Sequence, residues 1–355
     1  MPTRFFSAGR SSTKMASAVT KISPISDPRV SHQTTVLNGR TYHYILGVPK
    51  DGQFKETIVL VHGWPDLAFG WRYQIPALIG LGFRVVAPDM MGYGGTDAPR
   101  VPPESISLYG FKRAADDIEE LARQLGAPKI VLGGHDWGGA VVYRVALWKP
   151  ALVSHIFAIS TPYSPPTKEY YSIEQLVAGP LPQFKYQLNL ASGKPEESVK
   201  TKEDLKNLLV FITGGKGPNG ELIFNPYDGI VLENLGKVPK GPLMSEEELD
   251  YYAEQYARQG LHGPCNWYRS RRVNFDEELE LSGDGTIKAP VLFIATNRDA
   301  VLKPEMSAGM EKFIPNLSRA AVDTNHFGQW EKPAEINDII KQWVEAVVFG
   351  GKSVL

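Results

Sequence analysis

The first half of the chain alternates short apolar runs with amphipathic segments. At Phe111–Leu125 the apolar positions recur every three or four residues, which predicts a helix that Gly126 ends. Runs rich in β-branched residues are typical of strands buried on both faces. There are four: Thr57–Val61, Arg84–Ala87, Lys129–Leu132 and Val153–Ile159. Strand–helix–strand alternation predicts a mostly parallel sheet with helices on both faces.

An antiparallel pair is predicted upstream of these strands. Gln33–Leu37 and Tyr42–Val48 flank Asn38-Gly39, a dipeptide typical of a type I′ hairpin. Further along, the alternation stops after Ser160 and returns at Pro290–Thr296. The sequence therefore predicts that the sheet begins with a hairpin and is interrupted once.

The interruption covers residues 161–285, which are rich in Pro, Gly and Tyr and keep only helical periodicity. Within it, Ser245 and Glu248 have the spacing of a capping box that opens a helix. The predicted organisation is an α/β core of residues 27–160 and 286–350. A helical lid, residues 161–285, is inserted after about the sixth strand.

Composition excludes several classes of protein. The 355 residues include 38 Lys or Arg and 39 Asp or Glu, a net charge of −1, which argues against a nucleic-acid partner bound by bulk charge. Cys265 is the only cysteine, so no intrachain disulfide can form, which fits a reducing compartment. No apolar run approaches the roughly 18 residues of a transmembrane segment. We expect a cytoplasmic protein.

Residues 1–26 contain basic and hydroxyl side chains but no acidic one, which is the composition of a transit peptide. Their helical amphipathicity is weak, so a disordered arm is the favoured interpretation. Mitochondrial targeting by residues 1–26 stays open, as does a start at Met15.

The segment Gly134-His135-Asp136-Trp137-Gly138 lies between a predicted strand and a predicted helix, as a nucleophile elbow does. Its flanking glycines suit a sharp turn without room for a Cβ. The central residue is Asp136, where a serine is usual. A carboxylate is a poor nucleophile for peptides and esters, but it can displace a leaving group at an sp³ carbon. The alternative is a structural aspartate at a helix N-terminus.

Further candidates follow in the chain order nucleophile, acid, histidine. Asp299 comes just after the strand Pro290–Thr296, and His326 lies beyond the next short apolar segment. His326 is suited to act as a base near neutral pH, and Asp299 would orient it. Upstream, His62-Gly63-Trp64-Pro65 follows the first core strand. The backbone amides of Trp64 and Trp137 are the predicted oxyanion hole, with a cis bond at Pro65.

These motifs resemble the epoxide hydrolase branch of the α/β-hydrolase superfamily over roughly residues 33–345. The resemblance includes HGWP at 62–65, DMMGYG at 89–94, HDWG at 135–138, FKYQL at 184–188 and GPCNWYR at 263–269. It implies an α/β-hydrolase fold and two lid tyrosines that bind the epoxide oxygen. These map onto Tyr186 and Tyr268, with Tyr163, Tyr170 and Tyr171 as competitors for the first position. Asn325 departs from the family, which often has Gly before the histidine.

The resemblance implies that a small-molecule epoxide and water give a vicinal diol through a covalent ester on Asp136. A water activated by His326 and Asp299 would hydrolyse that ester. No organic cofactor and no metal are expected. Apolar lid residues Phe184, Leu188 and Trp267 are the predicted substrate pocket. Two alternatives stay open: a haloalkane dehalogenase, and a non-catalytic ligand receptor on the same fold.

Overall fold

The computed structural model describes residues 3–7, 19–237, 241 and 243–350. In these ranges the strands of the main sheet, in chain order, are β1 Arg4–Phe5, β2 Val30–Leu37, β3 Arg40–Gly47, β4 Glu56–Val61, β5 Phe83–Pro88, β6 Ile130–His135, β7 Val153–Ile159, β10 Val291–Thr296 and β11 Leu317–Val322. The strands β8 Phe224–Asn225 and β9 Gly229–Ile230 form a separate hairpin. Every strand predicted from the apolar runs overlaps a strand of the main sheet.

The main sheet has the order β1-β11-β10-β7-β6-β4-β5-β3-β2. Across the sheet, each neighbouring pair in the series β1-β11-β10-β7-β6-β4-β5 is parallel. Strand β3 pairs antiparallel with both β5 and β2. Asn38 and Gly39 have φ of 46° and 82°, so both central residues of the β2–β3 turn are left-handed, as a type I′ turn requires. The predicted antiparallel start is confirmed.

The central strands are covered on both sides. In β4, residues 58–61 are each fully buried, and successive side chains of a strand point to opposite faces of the sheet. Helices therefore cover both faces, which confirms the predicted fold class. The helices are α1 Gln74–Gly80, α2 Phe111–Gln124, α3 Trp137–Trp148, α4 Ile173–Ala178, α5 Tyr186–Ala191, α6 Lys194–Ser198, α7 Lys202–Ile212, α8 Glu246–Ala257, α9 His262–Arg269, α10 Arg271–Glu278, α11 Gly328–Glu331 and α12 Pro333–Trp343.

The chain between β7 and β10 contains α4 to α10 and the β8–β9 hairpin. Helix α8 begins with the predicted capping box: Ser245 accepts the N–H of Glu248, and Glu248 accepts the N–H of Ser245. Within the described ranges, no helix combines the length and the apolar character needed to cross a bilayer.

The N-terminal arm differs from the prediction where it is described. Residues 1, 2 and 8–18 of the predicted arm lie outside the described residues. Arg4–Phe5 adds an edge strand beside β11. Ile22 is 1% exposed and donates its N–H to the carbonyl of Arg72, and Lys21 forms an ion pair with Glu248. The burial of a single apolar side chain, Ile22, attaches this stretch to the core. A pattern of helical amphipathicity cannot predict such an isolated contact.

Candidate active site

Asp136 sits at the sharp turn between β6 and α3, with φ of 54° and ψ of −125°. A positive φ is uncommon for a residue with a side chain and marks local strain. The flanking glycines make the turn possible. A Cβ on Gly138 would lie 1.9 Å from the carbonyl oxygen of Val61, and one on Gly134 would lie 2.4 Å from the carbonyl oxygen of Gly138. The turn presents the Asp136 side chain at the carboxyl edge of the sheet.

The Asp136 carboxylate is held by two backbone amides. Its Oδ1 accepts the N–H of Trp64 at 2.8 Å, and the N–H of Trp137 also bonds the carboxylate. The Trp64–Pro65 bond is cis, as predicted. Burial raises the pKa of Asp136, while the charge of His326 and the two amides favour the ionised form. Both amides predicted as an oxyanion hole therefore converge on one carboxyl group.

His326 lies between two carboxylates. Its Nδ1 donates to Asp299 Oδ2 at 2.7 Å, and its Nε2 is 3.6 Å from Asp136 Oδ2. The other Asp299 oxygen accepts the N–H groups of Val301 and Leu302 at 2.8 and 2.9 Å. Burial acts to raise the pKa of Asp299, but His326 and these amides lower it to about 2. Asp299 is therefore a fixed negative charge that orients the imidazole.

The two carboxylates also control the proton on His326. Burial alone would lower the pKa of His326, but the charge and hydrogen bond of Asp299, together with the charge of Asp136, raise it to about 9. At neutral pH His326 is therefore an imidazolium, and its charge favours the ionised form of Asp136. Loss of the Asp136 charge removes one of the interactions that keep the proton on His326.

Two side chains that the sequence motifs did not single out, His135 and Ser160, bind the backbone of His326. The carbonyl oxygen of His326 accepts hydrogen bonds from His135 Nε2 at 2.8 Å and from the Ser160 hydroxyl at 3.1 Å. A carbonyl only accepts, so Nε2 of His135 carries the proton. Burial lowers the pKa of His135 to about 3, so its ring is neutral. Their positions could have indicated this role, because His135 and Ser160 lie at the carboxyl ends of the neighbouring parallel strands β6 and β7.

A cavity of about 60 Å³ opens above the Asp136 carboxylate. It is lined by Trp64, Asp136, Tyr186, Ile212, Phe224, Tyr268, Val301, His326 and Phe327. The rings of Tyr186 and Tyr268 meet edge to face with centroids 5.8 Å apart. Burial raises the phenol pKa values of Tyr186 and Tyr268 well above the ordinary value for tyrosine, so both side chains are protonated. Two O–H donors therefore share one small space with the carboxylate.

The competing tyrosines do not line this cavity. Tyr163 donates its hydroxyl to the carbonyl of Gly285, Tyr170 packs on Phe275, and Tyr171 is 45% exposed.

The predicted pocket residues Phe184, Leu188 and Trp267 do not line this small cavity, and their contact with substrate stays a prediction. Phe184 packs edge to face on the ring of Tyr186, with centroids 6.5 Å apart. Trp267 is buried and donates its indole N–H to the carbonyl of Met91. The apolar lining comes instead from Ile212, Phe224, Val301 and Phe327.

The alpha/beta hydrolase fold family matches residues 56–333. Epoxide hydrolase srdG of Neurospora crassa is 38% identical over 90% of this chain and 96% of its own length. Bifunctional epoxide hydrolase 2 of Rattus norvegicus is 35% identical over 92% of this chain, which corresponds to 57% of that relative.

The structural comparison agrees. The crystal structure of epoxide hydrolase A from Mycobacterium thermoresistibile covers 88% of this chain and 97% of its own, with a TM-score of 0.75 and 29% identity. The sequence and structural matches therefore point to one group of proteins. This chain belongs to the alpha/beta hydrolase fold family and, within it, to the epoxide hydrolases.

Proposed function

We propose that this protein converts an epoxide and water into a vicinal diol through a covalent ester on Asp136. One observation carries the proposal: a carboxylate at the elbow and two protonated tyrosines, Tyr186 and Tyr268, line the same cavity. A carboxylate supplies the nucleophile that an sp³ carbon needs. Phenols supply the proton that the poor leaving group, an alkoxide, needs.

In the first step Asp136 attacks one epoxide carbon, and the bond from that carbon to the ring oxygen breaks. Oδ1 already accepts the N–H of Trp64, so Oδ2, which faces His326, is the oxygen free to attack. The ring oxygen takes a proton from Tyr186 or Tyr268. Although burial weakens these phenols as acids, an alkoxide is far more basic than a phenolate. The product is an alkyl ester of Asp136.

Once the ester has removed the charge of Asp136, His326 loses its proton to solvent and becomes neutral. In the second step this neutral imidazole removes a proton from a water molecule, which attacks the carbonyl carbon of the ester. The negative charge that develops on the carbonyl oxygen is stabilised by the amides of Trp64 and Trp137. One such donor is typically worth about 10²–10³ in rate. The ester bond then breaks, and the leaving oxygen, the former Oδ2, takes the proton from His326 as the diol forms. The second proton of the water is released as Asp136 returns to its carboxylate, and it restores the phenol. Asp136 is regenerated with one oxygen from water.

Two further assignments belong to the same proposal. Residues 161–285 act as the lid, since Tyr186 and Tyr268 lie in this segment and face a carboxylate of the core. A cytoplasmic location fits the near-neutral charge and the single cysteine, Cys265, which is buried.

A direct assay separates the proposal from its alternatives. The purified protein is expected to convert styrene oxide into its diol and to release no chloride from 1-chlorobutane. A dehalogenase has no use for phenol protons, because halide leaves without protonation. Chloride release without diol would identify a dehalogenase, and saturable binding of styrene oxide without turnover would identify a receptor.

Replacing Tyr268 with phenylalanine removes one of the two proton donors without removing the ring. We expect ester formation to slow by roughly 10²-fold, at the lower end of the range for a positioned acid, because Tyr186 remains. Ester breakdown, which does not use the phenol as an acid, should change far less. Single-turnover rapid quench measures both rates. Tyr171→Phe removes the hydroxyl of an exposed tyrosine and is the matched control, so equal effects of the two variants would contradict the role of Tyr268.

Ester breakdown should accelerate as the pH rises, because only neutral His326 can accept a proton from water. The raised pKa of His326, about 9 in the free protein, depends in part on the negative charge of Asp136. That charge is absent from the ester, so the apparent pKa for ester breakdown is expected to lie below 9. Rapid-quench rates from acid to alkaline pH measure it. A rate that falls with rising pH across this range would contradict His326 as the base.

A further inference from the structure

The β8–β9 hairpin carries one aromatic side chain into the cavity. Phe224, in β8, lies with its ring centroid 5.4 Å from that of Tyr186 and 6.4 Å from that of Trp64. Phe224 thus contacts both one proton donor and the loop that supplies an oxyanion-hole amide. Phe224 lies outside every motif that the sequence offers.

The hairpin is attached to α5, the helix on which Tyr186 lies. The N–H of Tyr186 donates to the carbonyl of Pro226 at 2.9 Å, and the N–H of Ile230 donates to Asn189 Oδ1 at 3.1 Å. Gly229 has φ of 87°, and a Cβ on it would lie 2.4 Å from the Cβ of Asn189. The close approach and the hydrogen bonds place Phe224 at a defined distance from Tyr186.

Two other apolar lining residues, Val301 and Phe327, are tied to the acid and base residues. Val301 donates its N–H to Asp299, and Phe327 follows His326 directly and stacks on Trp330 with centroids 4.6 Å apart. Val301 and Phe327 cannot move far without disturbing the Asp299–His326 pair. Phe224, by contrast, lies on a separate hairpin and has no bond to that pair, so its side chain can limit the space without being part of the acid and base machinery.

The cavity is small, and most of its lining residues are apolar or aromatic. A cavity needs about 10–15 Å³ to hold a water molecule, and pockets for drug-sized ligands measure roughly 300–1,000 Å³. The cavity here is about 60 Å³, and its charged lining residues are Asp136 and His326. Such a space suits a few non-hydrogen atoms without charge.

We propose that Phe224 is a specificity-determining residue that excludes epoxides with a bulky apolar group on both carbons and favours those substituted on one carbon. The inference rests on the proposed epoxide hydrolysis and adds the substrate class to it. A bulky group on both epoxide carbons would have to occupy the position of the Phe224 ring. A short chain on one carbon would not.

The test compares kcat/KM for 1,2-epoxybutane, which has a short chain on one carbon, with that for trans-stilbene oxide, which has a phenyl ring on each. One excess methylene in an apolar pocket can cost about 10–200-fold, so we expect the native protein to prefer 1,2-epoxybutane by at least about 100-fold. Phe224→Ala should reduce this preference by at least about tenfold. Leu222→Ala, at an exposed position two residues away, is the matched control and should leave the preference unchanged.

Phe224→Leu provides a second variant with a smaller change in volume, and a smaller reduction in preference is expected. If Phe224→Ala does not fold, Phe224→Leu carries the test. A native protein that prefers trans-stilbene oxide, or equal preferences in the Phe224 and Leu222 variants, would overturn the inference while leaving epoxide hydrolysis intact. Failure of the native protein to form a diol from either epoxide would overturn the proposed function and this inference with it.

Discussion

Replacing His326 with glutamine should stop the protein after it has formed one ester per active site. Glutamine cannot take a proton from water, whereas Asp136 can still attack the epoxide. Removing a catalytic histidine from a comparable triad costs on the order of 10⁶ in turnover, so steady-state diol formation should fall by about 10⁴-fold or more. Mass spectrometry after mixing with styrene oxide should show one adduct per chain, located on the peptide that contains Asp136.

His32→Gln is the matched control, because it makes the same change at a histidine on strand β2, outside the cavity lining. This variant should turn over normally and accumulate no adduct. A His326→Gln protein that forms diol at the native rate would show that another group is the base. An adduct on a residue other than Asp136 would show that another group is the nucleophile.

Replacing Asp136 with alanine should abolish both the adduct and the diol. No other carboxylate lines the cavity in the part of the chain that the structure describes, so no neighbouring side chain can take over the attack. Loss of a nucleophile that acts with a base costs about 10⁶ in comparable enzymes, and we expect a loss of at least about 10⁴-fold here. Rapid-quench and steady-state assays with styrene oxide measure it.

A loss of activity in Asp136→Ala could come from the missing nucleophile or from a changed backbone at the turn, so a second variant is needed to distinguish the two. Asp136 has φ of 54°, a value that alanine tolerates poorly and asparagine tolerates well. Asp136→Asn therefore keeps the turn while removing the charged nucleophile, and it should be folded and equally slow in its first turnover. Undiminished diol formation by Asp136→Ala would contradict the covalent route.

The strands and the elbow could be predicted because their causes are local. Buried parallel strands need continuous apolar runs, and the Asp136 turn needs glycines within two residues on each side. Asp299 and His326 were predictable from chain order, since the ends of parallel strands meet at one edge of the sheet.

The walls of the cavity could not be predicted because they depend on contacts between distant segments. Phe224 reaches Tyr186 only through a hairpin that is bonded to α5. Trp267 stands beside Tyr268 in the sequence, but on a helix adjacent residues do not point the same way. Ile22 gave no periodic signal, because its burial depends on Arg72 and its neighbours in the core.

A single turnover in ¹⁸O-labelled water, with the protein in excess over styrene oxide, shows whether Asp136 becomes bonded to the substrate. If Asp136 forms the ester, the diol takes its second oxygen from the carboxylate and is unlabelled. The label then enters the Asp136 side chain, where peptide mass spectrometry detects it. Labelled diol in the first turnover together with an unlabelled Asp136 would mean that water attacks the epoxide directly, and the account would be wrong.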